Sequence, residues 1–171
     1  MNLLNASAGI TKHAIQRLGR AMEVNLNDLM YEEVRAVIKI FLQSVMRNAV
    51  IYLDYAGKKT ITENMIDAAF RYSLCTPQSN ARYQSCGLHD LSIPTTAFNR
   101  LVREVAQYYT DDPRFSEKAM ALLHGSTENY IEGLLRDAKL IASNAKRTRV
   151  MPKDINIARR LRDNHQMIGF R

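Results

Sequence analysis

Between Met30 and Tyr55 the apolar residues Met30, Val34, Val37, Ile38, Phe41, Leu42, Val45, Ala49, Val50 and Leu53 recur at steps of three and four, with no glycine or proline among them. That period is helical, and it predicts one helix of about 26 residues and about 39 Å. A short helix is predicted before it, over Thr11–Ala21. After it the stretch GKKT breaks the pattern, and a second short helix follows from Thr62, a good N-cap residue. The second half repeats this order. A short helix near Thr95–Tyr109 leads through the loop TDDPRFS into a long helix near Glu117–Asn144, whose stripe is Met120, Leu123, Thr127, Tyr130, Ile131, Leu134, Ala138, Ile141 and Ala142. Gly125 and Gly133 weaken that helix locally without having to break it. Pro152 suits the first turn of a last helix, where its missing N–H costs nothing.

The two halves also match in wording. IQRLGR at 15–20 returns as FNRLVR at 98–103, and AGKKTITENMI at 56–66 aligns with AKRTRVMPKDI at 145–155, an offset of 89. Arginines three apart share one helix face, so each hexapeptide sets two guanidinium groups side by side, away from its apolar residues. Two short helices cannot cover a long one on all its apolar sides, and a unit of this size alone is marginal. Two units laid across each other bury both stripes in one shared core. The expected fold is therefore all-α, a globular pair of units at residues 8–75 and 93–165 joined by a polar connector at 76–92.

Charge adds a partner class. The chain of 171 residues carries a formal +7 with a pI near 9.6, which suits a polyanion. Residues 1–80 hold 9 basic and 7 acidic side chains and residues 81–171 hold 15 and 10, so the second half should bear more of any electrostatic binding. Cys75 and Cys86 with His89 make a poor zinc set, lacking a tight Cys pair, and are read as free thiols. No metal and no cofactor are expected. The opening MNLLNASAGI has no signal-peptide character, and no stretch approaches the roughly 20 apolar residues of a membrane span, so no membrane partner and an intracellular or packaged location are expected. His13, His89, His124 and His165 are scattered, and there is neither a nucleophile–base–orienter set nor a Gly-rich phosphate loop. An enzyme is not expected.

At this point the strings carry a family resemblance. GITKHAIQRLGR, LMYEEVRAVIKIFL and YAGKKTIT resemble core histone four, while FNRLVREVAQYY, DDPRFSEKAMALL and NAKRTRVMPKDINIARRLR resemble core histone three. The order resembles the fused histone doublets of large DNA viruses. It implies two histone folds paired as an intramolecular handshake dimer, double-stranded DNA as the partner, and the virion, host nucleus or viral factory as the location. It also implies self-association into a tetramer-like pair of doublets, with a second doublet supplying the remaining folds.

The resemblance assigns residues as well. One DNA site would combine Arg114 with Lys58, Lys59 and Thr60. Another would combine Asn25 and Leu26 with Lys146, Arg147 and Arg149, with Lys153 joining the DNA-binding set; a third would use Arg17, Arg20, Arg100 and Arg103. The interface between copies would use Ile141, Asn144, Arg147, Asp154 and Ile157. Other readings stand beside these: Arg100 reads equally as a brace to Glu104, and Arg147 as a structural partner of Asp154. The sequence also departs from the family. The long basic arms are missing from both halves, Leu26 stands where a minor-groove arginine is usual, and Gln16 and Ala21 replace other basic positions. Arg82 is the one basic residue between Thr76 and Ser92, so loosely held DNA ends are expected. The competing function is a histone-fold interaction module of the transcription-factor type, a protein scaffold with no need for basic residues at all three edges.

Overall fold

Helix starts in this chain are written by short polar side chains. Thr11 accepts a hydrogen bond from the Ala14 N–H at 3.3 Å and Ser116 one from the Ala119 N–H at 3.2 Å, each satisfying an N–H that the first turn leaves unpaired. The computed structural model describes residues 10–24, 26, 28–72 and 91–168. Over these the elements run α1 (Lys12–Ala21), α2 (Asp28–Tyr55), β1 (Thr60–Ile61), α3 (Glu63–Tyr72), α4 (Thr95–Ala106), β2 (Arg114–Phe115), α5 (Glu117–Asn144) and α6 (Pro152–Ile168). The periodicity locates α5 at its observed bounds and α2 to within two residues. The helix expected over Thr95–Tyr109 stops earlier, because Tyr109 and Thr110 both donate to the Ala106 carbonyl in a closing turn. Cys75, Arg82, Cys86, His89 and nearly all of the 76–92 connector lie outside the described residues, as does Asn25.

The short helices cross between halves. α4 and α6 pack on α2, while α1 and α3 pack on α5, and the two long helices touch each other. One continuous cluster of buried residues results, drawing on both halves. At its centre Phe41 of α2 stacks on Tyr130 of α5 with centroids 4.5 Å apart, and on Phe70 of α3 at 6.1 Å. Each long helix also carries the last helix of its own half, α3 on α2 and α6 on α5, so its covering is shared between the two halves.

The fold is helical as expected, with one short addition, a two-residue parallel pairing of Thr60 with Arg114 and Ile61 with Phe115. One expectation needs correction: α2 is long and apolar enough by composition to cross a membrane, because exposed Ile40 and Ile51 add to its buried stripe; that stripe lies in the core.

The two mid-helix glycines of α5 differ in kind. A Cβ on Gly133 would fall 2.6 Å from Arg162 Nη2, whose guanidinium pairs with Asp137 at 2.6 Å. A Cβ on Gly125 would meet nothing within 4 Å. Gly125→Ala should therefore stabilise the protein by about 1 kcal/mol through backbone entropy, raising Tm by about 2–4 °C. A thermal melt checks this, and a lowered Tm would contradict the open space around Gly125.

Candidate nucleic-acid interface

At one end of the molecule Gly57, at φ +60°, stops α2 in the left-handed conformation, and the Lys58 N–H closes back on the Leu53 carbonyl at 3.2 Å. The chain emerges through Lys58 and Lys59, both exposed, into β1. The β1–β2 pairing, extended by Ser116 N–H to the Ile61 carbonyl at 3.0 Å, sets Arg114 beside Thr60. The four residues expected at the first site are thus brought together. Arg114 donates from Nε to Asp112 at 3.0 Å, an exposed pair that orients the guanidinium and is weak enough to yield to a stronger anion.

The equivalent turn at the other end is built differently. Lys146, offset 89 from Gly57, occupies the left-handed conformation at φ +55° without being glycine. Lys146, Arg149 and Lys153 are exposed. Arg147 turns inward: its Nη1 and Nη2 donate to the Asp154 carboxylate at 2.9 and 2.8 Å, and Nη1 also to the Arg149 carbonyl at 3.2 Å. Of the two readings of Arg147, the structure forms the salt bridge to Asp154. The guanidinium's hydrogen bonds, with a smaller contribution from the Met151 N–H, hold the Asp154 carboxyl below the usual carboxylate range against the opposing effect of burial; the Arg147 pKa is raised in turn. Leu26 is also directed inward, its tip against Gly19 of α1.

The first helices of the two halves approach each other through one contact. Arg17 of α1 donates to the Ser92 carbonyl at 2.6 Å, just ahead of α4. Arg20, Arg100 and Arg103 are exposed and make no ion pair among the described residues, so the brace from Arg100 to Glu104 is not formed. An exposed i,i+4 pair contributes only about 0.3–0.5 kcal/mol, too little to fix two long side chains.

Ser92 is itself held by a residue the sequence did not single out. The buried Glu128 of α5 accepts the backbone N–H of Ser92 at 3.0 Å and of Ile93 at 2.6 Å. Beside it His124 stacks on Phe98 at 4.1 Å, with Nε2 3.5 Å from Glu128. Its ring nitrogens have no hydrogen-bond partner among the described residues, so packing holds the ring. No group of three His, Cys, Asp or Glu with metal-binding proximity occurs among the described residues.

The residues expected at a copy-to-copy contact divide. Ile157 is 44% exposed and Asn144 is exposed, whereas Ile141 is half-buried. Asp154, at 1% exposure, is enclosed in its own fold by Arg147 and the Met151 N–H. Leu140, Met151 and Leu161 are exposed as well, and Leu161 lies one turn beyond Ile157 on α6.

This geometry meets the comparisons with known proteins at the second half. Residues 79–161 match the histone family, by the core domain common to histones two-A, two-B, three and four. That segment is a histone-fold domain. It takes in α4, β2, α5 and most of α6, and begins inside the stretch read as connector. The crystal structure of the histone from Methanopyrus kandleri is similar to this chain at a TM-score of 0.63 and 21% identity, covering 87% of this chain and 92% of that one. At that identity the likeness is one of fold, and at that coverage it extends beyond the histone-fold domain into the first half.

Proposed function

We propose that the protein is a DNA-packaging histone doublet without catalysis. In this reading residues 8–75 and 93–165 are each a histone fold, resembling histones four and three, and they pair within one polypeptide as a handshake dimer. The observation that carries it is the β1–β2 pairing, which gathers Arg114, Lys58, Lys59 and Thr60 from distant parts of the chain into one exposed cationic site. Exposed Lys146 and Arg149 at the opposite end, with Arg20, Arg100 and Arg103 between, support a duplex tracked along one edge. Binding is to phosphates and the minor groove without base reading, a mechanism taken over from the nucleosome of the histone family. A pure scaffold has no use for cations at all three places.

Two copies would associate through the apolar face of Leu140, Met151, Ile157 and Leu161. The first half offers a companion doublet the equivalent position: Ile51, offset 89 from Leu140, is 60% exposed where Leu140 is 61%. Residence in a virion, host nucleus or viral factory follows from the resemblance to fused viral doublets.

Nuclease digestion of DNA reconstituted with the protein, with and without a companion doublet, tests the function. A protected fragment of defined length is expected, with ends held loosely; digestion like that of bare DNA would sink the reading. Ile157→Glu places a charge in the apolar contact and should halve the sedimenting mass of the assembly. An unchanged mass would put the interface elsewhere.

A further inference from the structure

Ser92 and Ile93 share one trans peptide unit, with the Ser92 carbonyl at one edge and the Ile93 N–H at the other. Two charged side chains grip it from opposite sides. Glu128 Oε1 accepts the Ile93 N–H at 2.6 Å, and Arg17 Nη2 donates to the Ser92 carbonyl at 2.6 Å. The other carboxylate oxygen, Oε2, accepts the Ser92 N–H at 3.0 Å. A carboxylate at the positive edge of a peptide dipole and a guanidinium at its negative edge polarise the unit in the same sense, so each bond strengthens the other. Glu128 belongs to α5 and Arg17 to α1, so this one peptide plane ties the first half to the second.

The two charges differ in their surroundings. Glu128 is 5% exposed, and a buried carboxylate is costly unless its charge is answered. It has no lysine or arginine ion pair among the described residues, so Arg17 answers it, through the peptide, from the surface. Arg17 in turn makes no ion pair among the described residues, and a bond to a carbonyl neutralises no charge. Of the five N–H donors of a guanidinium, the Ser92 carbonyl takes one. The local sequence does not fix this segment, since α4 opens on Pro94 with no side-chain cap. The place of an exposed cation on α1 thus depends on an acid in the core.

We propose that Glu128 is a positioning residue for DNA binding. Acting through the Ser92–Ile93 peptide, it holds Arg17 of α1 at the head of α4, where the guanidinium meets a phosphate. This rests on the DNA-packaging reading, and adds to it that a buried negative charge is needed for full binding to a polyanion.

The test compares the full chain with Glu128→Gln, Arg17→Gln and the two together, reading amide exchange at Ile93 and the salt dependence of binding to a short random-sequence duplex. Glu128→Gln makes the protein more positive by one charge, so charge alone would strengthen binding. Positioning has the opposite sign: the slope of log affinity against log salt should fall by about 0.9, the value of one phosphate contact. The loss of affinity between about 50 and 200 mM salt then becomes about three- to fourfold smaller than in the wild type. Arg17→Gln should lower the slope equally, and the two together no further. Through the shared peptide, Arg17→Gln should also speed exchange of the Ile93 amide about two- to tenfold, which loss of a bare phosphate contact would not do. An unchanged slope or tighter binding in Glu128→Gln, with a lowered slope in Arg114→Gln, would make Glu128 structural only and overturn the proposal while the DNA reading stands. Unchanged Ile93 exchange in Arg17→Gln would also overturn it, and that measurement decides if thermal melts show that Glu128→Gln does not fold. A wild-type slope near zero would remove the DNA reading and the proposal with it.

Discussion

Raising the salt from about 50 to 200 mM should weaken DNA binding by about three to five orders of magnitude, the loss produced when roughly six to ten phosphates are neutralised. The exposed cations at the two loop ends and on the first helices are numerous enough for this. A titration that stayed flat over that range would count decisively against phosphate binding. Lys146 gives the same effect a local signature. It holds a left-handed backbone at φ +55° that glycine adopts without strain, as Gly57 does at the equivalent turn. A side chain there costs about 1 kcal/mol. Lys146→Gly should thus raise Tm by about 2–4 °C while weakening DNA binding. Movement of both in the same direction would separate Lys146 from the DNA edge.

The largest loss of stability is expected from Asp154→Ala. This carboxylate, 1% exposed, accepts two bonds from Arg147 and one from the Met151 N–H at 2.8 Å, joining the end of α5 to the first turn of α6. Removing it leaves three donors without their acceptor and should cost about 3 kcal/mol, or a Tm lower by about 6–12 °C. The pH dependence has a definite sign. The folded carboxyl titrates below its ordinary value of 3.8, so the unfolded chain binds the proton more readily. The stabilisation is complete above that value and is lost as pH falls through the depressed folded one. Melts between about pH 5 and pH 2 should show an acid limb in the wild type that Asp154→Asn flattens; identical limbs would exclude Asp154 as its source.

How far each part could be read in advance follows the range of the interaction that decides it. Helix bounds are local: Ser116 before α5, Thr11 before α1 and Pro152 at the start of α6 act within one turn. The juxtaposition of Arg114 with Lys58–Thr60 was legible at one remove, through the family resemblance, because the repeat implies two loops that meet. Glu128, His124 and the inward turn of Leu26 left no local mark at all.

The amino-acid sequence by itself determined the six helices, their short–long–short order and the basic character of the loops, because periodicity, capping and composition act over a few neighbouring residues. Only the tertiary structure decided which charges remain for a partner. Arg147 is withdrawn into Asp154, Lys139 is engaged with Glu23 and Arg162 with Asp137, whereas Arg20, Arg100 and Arg103 are exposed and make no ion pair among the described residues. Two of these ion pairs join residues 116 and 25 positions apart, and Arg17 reaches Ser92 over 75. An ion pair forms where packing brings its partners within a few ångströms, and the crossing of the two halves sets that distance.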